Sequence, residues 1–330
     1  MKKLISILLL LALFALPLTA CKKPEPEALR VGYMSGPTGI GMAKLIHDNG
    51  GKDGNDKYTF EAFADTATAA AALLSGKIDV ICLPTNEAAK NFNTTNPDSR
   101  VLALNCLNSL YLLTDSSYNI TSFEELEGKT IYTCKNGTPS IILKHALEQA
   151  GINATVAYEI GEQTITKPQD IGPLLNAGKI DIAVAPEPIV TASLLNIQNN
   201  ENAVRRYSVL DLDTLWSGIS DTPVAMGCVV ASTAAISKSA DRIDSFLDEY
   251  EASVAFISNS ENINSAADYI VECGIMQAVG AAEKALTNLG DAICYVDGAE
   301  MKETLIAFYE VLGLQVIGGK LPDESFYYIP

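Results

Sequence analysis

Histidine is nearly missing from this 330-residue chain, which has His47, His145 and a single tryptophan. A histidine-rich metal centre or a histidine-driven hydrolase needs more than that pair supplies. Basic residues are short as well: 23 Lys and Arg stand against 40 Asp and Glu, for a formal net charge of -17 and a pI near 4.5. Too few cations are present to displace counterions from a phosphate backbone, which excludes a nucleic-acid binder. The nucleotide-binding pattern G-x-x-x-x-G-K-[ST] does not occur, and no two of the seven cysteines form a C-x-x-C pair. No acidic cluster has a recognisable metal-loop spacing, so neither a metal nor a cofactor is expected. What remains is a chain 48% hydrophobic and 19% charged, too apolar for wholesale disorder and long enough for about two domains.

Lys2 and Lys3 precede an apolar run over 4–17, followed by Leu18-Thr19-Ala20-Cys21. A short positive region, an apolar stretch and a small-residue cleavage site predict a secretory signal over 1–20. The run is too short, and too abruptly ended by Pro17, for a comfortable membrane span. Leu18-Thr19-Ala20-Cys21 resembles a bacterial lipobox, which implies a lipidated Cys21 and a body anchored at the outer face of the cytoplasmic membrane. A plain signal peptide with a chance cysteine is the alternative. Residues 21–28, with Lys22, Lys23, Pro24, Glu25, Pro26 and Glu27, are expected as a stiff polar tether. Cys82, Cys106, Cys134, Cys228, Cys273 and Cys294 remain. Most sit in apolar runs as buried thiols do, with one or two disulfides as the alternative in an exported protein.

From Leu29 onward short β-type runs alternate with helical stretches, the pattern of parallel α/β architecture. Strands are expected over 29–33, 58–63 and 78–83, a turn over 35–39, and helices over 40–49 and 66–74. An internal echo stands out. Gly76-Lys77-Ile78-Asp79, leading through an apolar run to Pro84, recurs as Gly178-Lys179-Ile180-Asp181 leading to Pro186. A second pair agrees in offset: the strand, Ser35-Gly36-Pro37-Thr38 turn and helix over 29–49 parallel the strand, Asn136-Gly137-Thr138-Pro139 turn and helix over 130–150. Two lobes of similar build are the reading, with coincidence between generic βα units as its alternative. An extended run over 224–230 precedes expected helices over 240–258, 263–272, 277–288 and 299–312. Those helices need a sheet to cover, so the chain returns to the first lobe, with crossovers near 106–111 and 222–230. The expected division is lobe 1 over 29–107 with 228–330, and lobe 2 over 108–227.

Taken together, the lipobox, the Leu-Arg-Val-Gly-Tyr strand at 29–33, the alanine-rich helix leading to Ser75-Gly76-Lys77-Ile78-Asp79-Val80, and Phe123-Glu124-Glu125-Leu126-Glu127-Gly128-Lys129-Thr130 resemble a known family. It is that of the substrate-binding lipoproteins of ABC importers, in the NMT1/THI5-like branch of taurine, sulfonate, nitrate and thiamine-pyrimidine binders. The resemblance covers about 29–315. It implies a type II periplasmic-binding-protein fold: two α/β lobes joined by two hinge strands, with a small-molecule ligand in the cleft between them. It implies as partners a membrane permease and its ATPase subunit, and a monomeric receptor. A thiamine-pyrimidine-like heterocycle or a small organic anion is the ligand class it suggests.

In open α/β sheets ligands sit beyond the carboxyl ends of the strands. That places Ser35, Gly36, Thr38 and Gly39, then Thr85 and Asn86, on the first lobe as ligand contacts, with helix capping as their alternative role. On the second lobe Asn136, Gly137, Thr138 and Ser140 form the equivalent turn, and Glu187 takes the place of Thr85 in the echo. Glu187 either favours a ligand with a donor or positive charge or is a solvated helix-start acid. Tyr33, Tyr111 and Trp216 are candidates to stack on a planar ring or to pack in core and hinge, and Asp221-Thr222-Pro223 falls on the hinge side. Two further functions stay open on sequence: a sensing lipoprotein without transport, and an enzyme of the same fold. Against the enzyme, His47 and His145 fall on helices, and His145 reads as a surface residue.

Overall fold

The computed structural model describes residues 27–135 and 137–329. The signal segment, Cys21, most of the tether and the candidate Asn136 lie outside the described residues. The first third of the chain forms β1 (Leu29–Met34), α1 (Pro37–Ile40), α2 (Ala43–Asp48), β2 (Tyr58–Phe63), α3 (Thr66–Leu74), β3 (Val80–Pro84), α4 (Thr85–Thr94) and β4 (Ser99–Leu107). The middle forms β5 (Leu110–Asp115), β6 (Thr130–Tyr132), α5 (Thr138–Gln149), β7 (Thr155–Ala157), a hairpin of β8 (Glu159–Ile160) and β9 (Gln163–Thr164), α6 (Ile171–Asn176), β10 (Ile182–Pro186), α7 (Ile189–Gln198), β11 (Tyr207–Asp211) and α8 (Asp213–Ser217). The last third forms β12 (Ala225–Ser232), α9 (Thr233–Lys238), α10 (Ala240–Ser258), α11 (Ile263–Glu272), α12 (Val279–Leu289), β13 (Ile293–Asp297) and α13 (Gly298–Leu312).

Two large sheets result, in the orders β13-β4-β12-β3-β1-β2 and β11-β5-β10-β6-β7. The first draws strands from both ends of the chain and the second only from the middle, so the chain leaves the first sheet and returns to it. Both passages lie side by side: the Asn108 N–H donates to the Val224 carbonyl at 3.0 Å, and the Val224 N–H donates to Asn108 Oδ1 at 2.8 Å. The expectation of parallel sheets holds only in part. β1 pairs in parallel with β2 and β3, but β12 runs antiparallel to β3 and β4 because it re-enters from the opposite side.

The internal echo is structural. Gly76 and Gly178 both take left-handed backbone, with φ of 69° and 63°, at the turn before the buried strands β3 and β10. A side chain is strained in that region, which is why both copies carry glycine. The helix expected over 40–49 is instead two short pieces interrupted at Gly41 and Met42. β13 was not expected at all; it pairs antiparallel with β4 at the sheet edge, where half-buried residues give little alternation to read.

The helices α10 and α11 have the bounds expected for them, and pack on α2 of the first lobe. One apolar core runs through the first lobe and continues into the second by way of α5 and α8. A smaller one, around Leu113, Ile165, Leu174 and Ala183, fills the other side of the second sheet. The six described cysteines are free thiols, and burial pushes Cys82 and Cys106 up to about 12, so the thiol alternative is the one observed. No described helix is long and apolar enough to cross a membrane.

Candidate functional site

The strands β1, β2 and β3 of the first lobe, and β6 and β10 of the second, end toward one gap, and the segments after them wall a cavity of about 320 Å³. That is near the small end of ordinary ligand pockets. After β1, Ser35 and Gly36 lead into Pro37 and Thr38 at the start of α1. After β2, Asp65 caps α3: its carboxylate accepts from the Thr68 N–H and the Thr68 hydroxyl, each at 2.8 Å. Those bonds hold Asp65 below the usual carboxylate range, and Lys167 of the other lobe adds a smaller pull. After β3, Pro84 and Glu87 reach the wall.

The second lobe contributes Cys134 and Lys135 beyond β6, then Gly137, Thr138 and Pro139 at the start of α5. Residues 166–169 add Thr166, Lys167, Pro168 and Gln169, and the turn after β10 adds Pro186 and Ile189. Met226 comes from the returning strand β12, and Met34 from the end of β1. Backbone at helix starts together with a few hydroxyls and amides makes a wall able to hold a polar small molecule.

Single hydrogen bonds cross from lobe to lobe at this wall. The Thr138 hydroxyl donates to Asn86 Oδ1 at 2.8 Å, and Gln169 Nε2 donates to the Ser35 carbonyl at 3.3 Å. Nearby, Asn288 of α12 donates through Nδ2 to Glu187 Oε1 at 2.8 Å, and the Tyr111 hydroxyl donates to the Asn288 carbonyl at 3.0 Å.

Of the residues expected as contacts, Ser35, Gly36, Thr38, Gly137 and Thr138 line the cavity. Gly39, Thr85, Asn86, Ser140, Glu187 and Trp216 do not, because the protein's own contacts hold them behind the wall. A Cβ at Gly39 would strike the Met34 carbonyl, so this glycine serves close backbone packing. The Thr85 hydroxyl donates to the Ala225 carbonyl and ties α4 to the returning strand. Asn86 is fully buried beneath Thr138, and Ser140 donates to the Gly137 carbonyl at 2.8 Å.

Glu187 is fully buried and neither solvated nor facing the cavity. It accepts from the Thr191 N–H at 3.0 Å and the Thr191 hydroxyl at 2.8 Å besides Asn288, and burial outweighs those bonds to push its pKa up. Trp216 is buried with its Nε1 donating to the Thr222 carbonyl at 2.7 Å, and its ring lies 5.8 Å from His145 and 5.9 Å from Phe308. Tyr33 is likewise core, its hydroxyl donating to the Cys273 carbonyl at 2.9 Å.

His145 is half-buried against Trp216 and not on the surface, and burial lowers its pKa. His47 meets Glu272 at 2.7 Å and stacks on Tyr269. Neither histidine lines the cavity, and among the described residues no three His, Cys, Asp or Glu side chains stand together as a metal site.

The wall also holds residues not singled out from the sequence: Asp65, Glu87, Lys135, Lys167 and Gln169, with Met34, Met226 and Ile189. Asp65 was legible as the helix cap before the alanine-rich 66–74 stretch, and Lys135 as the neighbour of the Gly137-Thr138 turn. Lys167 and Gln169 carry no such signal, since their segment has no counterpart in the echo.

Comparison of the sequence with curated proteins finds no match. Solved structures do resemble the whole described body. A structure of an ABC transporter from Parabacteroides distasonis is 22% identical over 92% of this chain and 99% of that one, with a TM-score of 0.72. The periplasmic aliphatic sulphonate binding protein SsuA of Escherichia coli is 18% identical over 92% and 93%, with a TM-score of 0.69. The alkanesulfonate-binding SsuA of Xanthomonas axonopodis pv. citri, bound to MOPS, is 14% identical over 92% and 96%, with a TM-score of 0.65. The fold is therefore the type II periplasmic-binding-protein fold, two α/β lobes about a cleft. The NMT1/THI5 like family model matches residues 59–262, from within β2 to the residue before α11, and the chain belongs to the NMT1/THI5-like family.

Proposed function

We propose that the protein is the solute-binding component of an ABC importer, taking a small molecule into the interlobe cleft and delivering it to a permease and its ATPase subunit. The lobes comprise 29–107 with 228–330, and 108–227. Lipid on Cys21 holds this monomeric receptor at the outer face of the cytoplasmic membrane, with 21–28 as its tether. It binds its ligand without transforming it. The observation that carries this is the shared wall: residues of both lobes enclose the cavity, and the lobes are linked by two adjacent strand passages tied at Asn108 and Val224. Such a linkage lets a few residues absorb a rotation that opens and closes the cleft. The Parabacteroides and SsuA structures, named for an ABC transporter and for sulphonate binding, support the same reading.

A thermal-unfolding screen of small transported solutes tests it. A ligand that binds only the folded protein adds about 2.7 kcal/mol at a hundredfold excess over its Kd, so one compound class should raise the melting temperature by several degrees. No shift with any compound, together with no small molecule co-purifying in native mass spectra, would contradict the proposal. The anchor has its own test: Cys21→Ser should move the protein from the membrane to the soluble fraction.

A further inference from the structure

Between α1 and α2 the helix breaks, and side chains from distant elements take the bonds that an unbroken helix would make. In such a helix the Thr38 carbonyl would accept from the Met42 N–H, and the Gly41 carbonyl from the Leu45 N–H. Instead the Met42 N–H donates to the Gly39 carbonyl at 3.0 Å, and the Thr38 carbonyl accepts from Asn105 Nδ2 of β4 at 2.9 Å. Ser253 of α10 bridges the second gap. Its hydroxyl donates to the Gly41 carbonyl at 2.6 Å and accepts from the Leu45 N–H at 3.0 Å. A side chain inserted into the backbone ladder in this way is a physical cause of a helix kink. Asn105 and Ser253 are both buried, and neither lines the cavity. Gly227 of β12 makes room for the first contact, since a Cβ there would strike both Asn105 Oδ1 and Thr38 Cγ2.

We infer that Asn105 and Ser253 are positioning residues for solute binding: they hold the break that sets Ser35, Gly36, Pro37 and Thr38 in the cavity wall. This rests on the solute-binding reading and adds to it the residues that build its first-lobe turn. Without the two side chains, the freed backbone groups can pair with one another along one helix axis, which carries α1 and Thr38 out of place. A turn already fixed before the solute arrives needs no ordering at binding, so loss of the hold weakens binding itself. The turn is also tied to the strands that leave the lobe, because β4 and β12 run directly into the passages at Asn108 and Val224.

Three variants of the full-length protein in detergent test this. Asn105→Leu keeps the side chain's shape without its amide, Ser253→Ala removes the hydroxyl, and Ser253→Thr retains it. In the absence of solute, amide hydrogen exchange over 35–46 should quicken tenfold or more in N105L and in S253A. Each variant is then titrated calorimetrically, at a temperature where it is folded, with the compound that raises the melting temperature most in the thermal-unfolding screen. The Kd should rise tenfold or more in N105L and in S253A, and should stay within threefold of wild type in S253T. A role in stability alone would lower the melting temperature and leave the Kd of the folded protein unchanged. An unchanged Kd in N105L or S253A overturns the inference and leaves solute capture standing, as does an equal loss of affinity in S253T and S253A. If no compound binds the wild type, solute capture falls and the inference with it.

Discussion

On the flank formed by α5, α8 and α13 the lobes meet through packed rings, the buried Trp216 lying between the half-buried His145 and the buried Phe308. Across the cleft they meet through isolated hydrogen bonds, Thr138 to Asn86 and Gln169 to Ser35. The two contacts respond to separation in opposite ways. Parting the rings exposes apolar surface, whereas parting a hydrogen-bonded pair exchanges it for bonds to water at a small net cost. The flank is therefore built to stay together while the cleft is built to open. The Glu187–Asn288 contact combines features of both, a polar interlobe bond between a fully buried carboxylate and an asparagine that is itself exposed.

Truncating the flank should have the largest effect. Trp216→Ala should cost about 3–5 kcal/mol of folding stability, the usual range for a buried aromatic, measured by urea unfolding. A loss below about 1 kcal/mol would break the contrast. Next comes Asn288→Ala, which removes a bond to a buried carboxylate and should cost about 1.5–3 kcal/mol.

The same carboxylate sets a pH dependence. Burial raises Glu187 in the folded state, so the folded protein holds that proton more tightly than the unfolded chain does. Its contribution is then full below the unfolded pKa and is lost as pH rises through the folded pKa. Glu187→Gln should flatten that decline in a series of denaturant titrations. Thr138→Val should remove about 1 kcal/mol from closure, read by scattering as roughly a fivefold fall in the closed-to-open ratio. Gln169→Ala, which deletes a longer and partly exposed bond, should change closure by no more than about 0.5 kcal/mol.

Much of this architecture was legible because it repeats. The Gly-Lys-Ile-Asp echo marked two corresponding strands, and the positive φ at Gly76 and Gly178 explains why the glycine is retained in both copies. The turns at Gly36 and Gly137 led to one part of the cavity wall on each lobe for the same reason. The remainder depended on which side of a turn faces inward, and one-dimensional spacing does not encode that. Thr85, Asn86 and Glu187 follow strands that end at the cleft, yet each turns into the protein to bond Ala225, Thr138, or Thr191 and Asn288. Lys167 and Asp65 are 102 positions apart and meet only when the lobes do. Trp216 read as a possible ring platform because an aromatic near a hinge suits either role, and only packing decided it.

The central claim is that the lobes close around a captured solute. Spin labels at Ala71 on α3 and Glu162 in the β8–β9 turn, both exposed and outside the cavity wall, measure that movement directly. With a compound that raises the melting temperature present at saturation, the distance distribution should shorten and narrow relative to the unliganded protein. An unchanged distribution at saturation would contradict the account.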